Sequence, residues 1–432
     1  MADAPFPPPF TRLTRLTRLT RLTLLTTVAG RLRAIATRVE TATPPERDRA
    51  VDALRAFAIL GVVLGHWLVT ALVAEGGTLH TASPLGPMPW LAPVSWAFQT
   101  LAVFFLVGGH VATRSHASAA AGGIPYGRWL GARLGRLFRP VATLLALWTA
   151  VTVALLLTGA DLDTVRTLVK LALSPLWFLL VFAALTAATP LLARLNPLWP
   201  LAVVLHVDLL RFGLDGPSWL GWLNLPAGWL VPYTLGAAWT RGELAGRRAA
   251  VVLLTGGTVA TAALVLWAGY PASMVGVPGA AVSNLDPPTL AGVTFGLAQC
   301  GLALLLRDRL RVLMRRPLAW AGVALVNLSA MTIFLWHQTS LMATTALGLL
   351  AGRLPGLHTR PEGLDWVAFR LAWLPVFGCV LAVCWTAFRH REQEPRRSHP
   401  RGRYRGRFRG RGSRVVLVHR GGHATTGASD HA

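Results

Sequence analysis

Lysine is all but missing from this chain: Lys170 is the only one, and arginine supplies the rest of the 42 basic residues. Acidic residues are scarce too, 18 against 42 basic, so ion pairing cannot neutralise the chain. Charged residues of all kinds make up 14%, where a soluble protein carries about 25%. That shortage excludes an ordinary soluble domain. There are three cysteines, Cys300, Cys379 and Cys384, all in apolar stretches, with no C-x-x-C and no Cys/His spacing of a metal site. They read as packing residues, and no metal is expected. A P-loop, a G-x-S-x-G elbow and an H-E-x-x-H pair are also missing. Their absence removes a P-loop pump, an α/β-hydrolase and a zinc protease. No chain of intramembrane Asp or Glu suggests a proton relay. The N-terminus lacks a clean secretory signal, because its first apolar run is short and the strong one begins only after residue 50.

Apolar residues fill the space. Hydrophobic residues make up 53% of the chain, with 17 Trp and 29 Pro. Trp collects at membrane interfaces and Pro is tolerated in membrane helices. The pattern reads as an all-α, polytopic integral membrane helix bundle of about ten transmembrane helices. The spans fall at 51–73, 92–112, 137–158, 175–193, 198–214, 219–238, 249–269, 288–306, 322–350 and 365–388. The fifth is the weakest, interrupted by His206, Asp208 and Arg211. Asp208 and Arg211, three apart, can pair on one helix face. Connections alternate in charge. Those at 113–136, 241–248 and 307–316 are rich in Arg, whereas 74–91 and 270–287 have neither Arg nor Lys. The positive-inside rule then puts both termini in the cytoplasm of a multi-pass plasma-membrane protein.

Three regions follow: a basic arm 1–46, a membrane domain 47–390 and a basic tail 391–432. The arm repeats TRL through 11–23, and the tail carries RGRYRGRFRGRG at 401–412. A three-residue repeat drifts around a helix and makes no stable stripe, and the tail has too little apolar content to fold alone. Both read as disordered segments attracted to anionic lipid. Charge and stacking would also suit RNA, but nucleic acid is the weaker reading.

Arg49 to Val73, RAVDALRAFAILGVVLGHWLVTALV, holds two polar residues that look misplaced, Arg55 and His66. Eleven residues of helix separate them, roughly 16 Å at about 1.5 Å per residue. Arg55 can therefore stay near one surface while His66 lies deep, where an ionisable residue marks a functional site by default. An interfacial anchor and an interhelical hydrogen-bonding histidine are the plain alternatives. Asp52, three before Arg55, can pair with it. His337 lies about fifteen residues into its own span, at a depth like that of His66. Arg133, Arg136 and Arg139 recur every three residues, and guanidinium groups bind phosphates bidentately. Asn327, Gln99 and Gln338 are candidates for the same cavity; His110 and His206 read as structural.

VDALRAFAILGVVLGH resembles the first transmembrane helix of acyltransferase family 3, whose signature is an Arg or Lys, ten residues and a His. FFLVGG (104–109), RLGRLFRP (133–140), PLWFL (175–179) and IFLWHQ (333–338) resemble its later landmarks, in order. The resemblance covers roughly 47–390, and a GC-rich coding bias points to an actinobacterial-type member. Gly108 stands where many members have Ser, and Phe334 where Tyr is common. No soluble hydrolase-like domain follows the membrane part, so the acceptor is expected to be captured by the membrane domain or by a partner.

The resemblance implies an O-acyltransferase that takes an acyl group, acetyl foremost, from cytoplasmic acyl-CoA to an extracytoplasmic carbohydrate or lipid acceptor. His66, Arg55 and His337 would be catalytic. Arg55, Arg133, Arg136 and Arg139 would hold the CoA phosphates. A histidine with its ordinary pKa of about 6.5 is largely neutral near pH 7, as a general base must be. A secondary transporter and a non-catalytic membrane scaffold remain as alternatives, though no inverted repeat shows in the hydropathy. Stabilisation by CoA separates them from the enzyme.

Overall fold

The computed structural model describes Thr27 and residues 30–392. The TRL repeat and the Arg/Gly-rich tail lie outside the described residues. Helix α1 covers 30–41, and α2 runs Arg49–Val69 from an Asp48 N-cap whose carboxylate accepts from the Ala50 and Val51 N–H groups. Strands β1 (Ala71–Glu75) and β2 (Thr78–Ala82) pair antiparallel. Then come α3 (Ala92–Ser95), α4 (Leu101–Ala121), α5 (Tyr126–Leu157), α6 (Leu162–Leu173) and α7 (Leu176–Ala187). Helices α8 (Thr189–Leu192), α9 (Leu198–Asp208), α10 (Asn224–Thr240) and α11 (Arg247–Trp267) follow. The last four are α12 (Leu290–Leu313), α13 (Pro317–Leu328), α14 (Ala330–Leu349) and α15 (Leu364–Glu392).

The fold is all-α and membrane-spanning, with one small hairpin. Among the described residues seven helical runs are long and apolar enough to cross a bilayer, or eight if the bent pair α13–α14 counts as one span. The expected ten are not met. Helix α9 has 11 residues and breaks into a π turn at Leu209–Gly213, while α10 has 17. A spanning helix needs about 20. Hydropathy cannot tell lipid-facing apolar residues from bundle-buried ones, and α10 is buried almost throughout, from Ala227 to Trp239. The first span also ends early: the chain leaves the helix at Thr70 and turns into β1.

Small residues let the helices close up, as in membrane interfaces generally. A Cβ on Gly109 would run into the Tyr233 backbone of α10, and one on Gly236 into α4. Gly257 and Gly301 do the same between α11 and α12. The runs containing α2, α4 and α12 are the most buried, and α15 the least. The main core therefore gathers around α2, α4, α10 and α14, with Phe105, Tyr233 and Leu335 fully buried.

Candidate active site

The two intramembrane histidines meet. The rings of His66 on α2 and His337 on α14 lie 5.0 Å apart between centroids and are tilted by 40°. His337 is fully buried, and its Nδ1 is 2.6 Å from the Phe334 carbonyl. A carbonyl only accepts, so Nδ1 carries the proton and Nε2 is left as a lone pair. That Nε2 is buried with no hydrogen-bond partner. Beside it, the Gln338 amide nitrogen is 3.0 Å from His66 Nδ1, and the amide oxygen is buried without a partner.

Both rings are held from behind. The Trp67 indole donates to the His337 carbonyl at 2.9 Å. Arg370 of α15, 1% exposed, donates to the carbonyls of Trp67 at 2.6 Å, Gly356 at 3.1 Å and Thr70. Its guanidinium also packs over the Trp366 and Phe377 rings. The last carbonyls of a helix lack intrahelical donors and carry its negative dipole end. A buried cation meets both needs where α2 stops, three residues beyond His66.

A cavity of about 650 Å³ opens beside the pair, lined by His66, Gln338, Phe334, Phe98, Gln99 and Trp177. The β hairpin and the 270–287 segment contribute the rest of the wall with α6. Gly76 and Gly77 form the hairpin turn at φ 57° and 82°, the primed geometry that favours Gly-Gly. Arg360 anchors it by two hydrogen bonds to Glu75, at 2.6 and 2.8 Å, and holds that carboxyl below the usual carboxylate range. Gly65 allows the close approach of Phe98 to α2, next to His66.

The arginines gather at the other end of α2. Arg55 donates to the Asn327 side-chain oxygen at 2.6 Å and to its carbonyl at 3.3 Å. The expected pairing of Asp52 is not seen: its carboxylate is taken by Arg47 at 2.6 and 3.1 Å, because Asn327 draws Arg55 across to α13. Asn327 thus belongs with Arg55 and does not line the cavity, whereas Gln99 and Gln338 do. Arg133 lies over the Trp129 ring and within reach of the charges of Arg136 and Arg55. Its Nε is buried and has no hydrogen-bond partner. Arg136 reaches only its own helix, at Ala132 O, and Arg139 is exposed. The structure therefore brings Arg55, Arg133 and Arg136 into one charged region and His66 with His337 into another.

His110 stacks on Trp239, and His206 bonds the Ala202 carbonyl of its own helix. Neither lines the cavity. Asp208 and Arg211 pair at 4.0 Å, as their spacing suggests. Gly108, where Ser was the commoner expectation, is explained by packing, since a Cβ there would strike the Phe182 ring. Sequence reasoning missed Arg370 and the hairpin. The Glu-Gly-Gly-Thr run at 75–78 is a hairpin signal that was open to reading. Among the described residues no cluster of His, Cys, Asp and Glu could hold a metal ion. The chain matches the family described as acyltransferase domain over residues 48–389. No curated protein and no solved structure matches it.

Proposed function

Since the chain belongs to the acyltransferase-domain family, we propose that this multi-pass membrane protein moves an acyl group from cytoplasmic acyl-CoA, acetyl-CoA foremost, to an acceptor hydroxyl. The acceptor is an extracytoplasmic or membrane-associated glycan, lipid or related molecule. The observation that carries this reading is His66 on the cavity wall with His337 packed against it, while Arg55, on the same helix, joins the α5 arginines away from the cavity. The Arg-rich loops support an orientation with the arginine end and both termini in the cytoplasm and the cavity end outside.

On this reading Arg55, Arg133, Arg136 and Arg139 hold the CoA phosphates. The buried, unpartnered Arg133 Nε fits an anion that brings its own acceptors. The pantetheine arm reaches along α2 toward His66. Amide O and N are interchangeable in placement. Turned by half a rotation, Gln338 accepts from His66 Nδ1–H. That gives the orphaned amide oxygen a partner and leaves His66 Nε2 as a lone pair.

Nε2 then takes the proton of the acceptor hydroxyl as its oxygen attacks the thioester carbonyl. The tetrahedral intermediate collapses, the C–S bond breaks, and the CoA sulfur leaves with the proton from His66. His337 packs against His66 with ring centroids 5.0 Å apart and its Nε2 lone pair unpartnered.

The test is His66→Gln, which keeps size and hydrogen bonding but removes proton uptake. A general base contributes about 10²–10⁴-fold, so labelled-acetyl transfer should fall at least about a hundredfold while CoA binding persists. Near-normal turnover in correctly inserted protein would sink the mechanism. Solute flux independent of CoA would favour a transporter.

A further inference from the structure

Helix α6 lines the open cavity with its polar side, whose charged side chains are solvent-exposed. Asp163, Arg166, Thr167, Lys170, Leu171 and Ser174 all line it. Their spacing of 3, 1, 3, 1 and 3 keeps them within an arc of about 140° at about 100° per residue. Val165 and Ala172, on the other side, are buried. The helix is fixed in this rotation by the Leu79 N–H of β2, which donates to Thr164 Oγ1 at 3.0 Å, and by the Asp161 N-cap. It forms the first half of the apolar run Leu162–Ala187. Ionisable groups on such a run face a bundle interior or a water-filled cavity and mark substrate pathways.

The charges on this face are not alike. Arg166 is answered by Asp163 at 3.2 Å. Among the described residues Lys170 has no ion-pair partner. It is also the chain's only lysine, in a sequence that otherwise uses arginine. An ammonium is a compact, freely turning point charge with three donors, unlike the rigid guanidinium fork. Asp286, on the 270–287 part of the wall, can only accept, and so suits donor hydroxyls. Trp177, Phe178 and Phe98 add apolar ring surface.

Taking the acyl-transfer reading as its basis, the geometry points to α6 as the acceptor-recognition helix. It selects a hydroxylated ring that bears an anionic group, a phosphate ester or a carboxylate, held by Lys170. The hydroxyl to be acylated then faces His66 on the same cavity.

The experiment is equilibrium dialysis of radiolabelled glucose, glucuronate and glucose 6-phosphate against the full chain in nanodiscs. At least one anion should bind about tenfold or more tightly than glucose, and which one does tells carboxylate from phosphate ester. Lys170→Gln should erase the preference, Lys170→Arg should keep part of it, and Lys170→Glu should reverse it. Equal binding of all three sugars, no measurable binding of either anion, or a preference that survives Lys170→Gln overturns the inference. Lys170 is exposed, so these variants do not depend on refolding a core. Acetyl-CoA binding is measured on the same samples. An intact anion preference without CoA binding would remove the acyl-transfer reading and leave the anion site standing.

Discussion

The two ends of α2 are built on opposite principles. At the His66 end Trp67, Arg370 and the Nδ1–H of His337 all give their protons to backbone carbonyls, and His337 Nε2 is left as an unpartnered acceptor. At the Arg55 end guanidinium groups dominate, and the buried Nε atoms of Arg133 and Arg307 are unpartnered donors. A region with spare acceptors can take up a proton. A region with spare donors and net positive charge can take up an anion. Helix α2 contributes His66 to one region and Arg55 to the other, so the two tasks are separated by geometry and can be separated by mutation.

The sharpest way to strain this contrast is Arg370→Gln. It removes the cation from three carbonyls while a shorter side chain remains to fill the space. Orphaning buried acceptors costs about 1–3 kcal/mol each, so stability should fall by roughly 3 kcal/mol or more, read by thermal unfolding in detergent. In the surviving folded fraction kcat should drop with little change in the acyl-CoA KM. A raised KM with unchanged kcat would mean that Arg370 serves the arginine end instead.

The next effect belongs to the other end. Arg136→Ala should raise the acyl-CoA KM about tenfold with less effect on the acceptor KM, since hydrogen bonds to charged groups are worth about 1.5–3 kcal/mol. An unchanged donor KM in correctly inserted protein would leave that arginine as a topology signal alone.

The smallest effect lies at the hairpin. Arg360 depresses the Glu75 carboxyl, so the pair adds stability above the unfolded carboxylate pKa of about 4.3. That contribution is lost as pH falls through the lower folded value. Glu75→Gln should therefore melt slightly below wild type at pH 7 and converge with it in more acid solution. A gap that widens on acidification would reverse the sign.

The contrast between the ends was legible in part. Arg55 and His66 stand out because a charge and an imidazole are costly in an apolar run. His337 was a candidate because its depth is like that of His66, but depth alone did not give the meeting of the two rings. What could not be read is pairing across the sequence. Arg370 looks like any arginine near a span end, and only the fold brings it to Trp67, about 300 positions away. Asn327 looked like a cavity residue until α13 placed it on Arg55. The membrane class was plain from composition, but the count of spans was not, because α10 is apolar for packing against protein.

Helices α13 and α14 meet at 75° at Ser329. Asn327, just before the bend, grips Arg55; His337, about two turns after it, packs against His66. The kinked pair is thus a bow, and α2 is the string tied to both of its limbs. Any flexing of the bow must pull on both knots together, so an event that opens the angle at one face of the membrane is felt mechanically at the other.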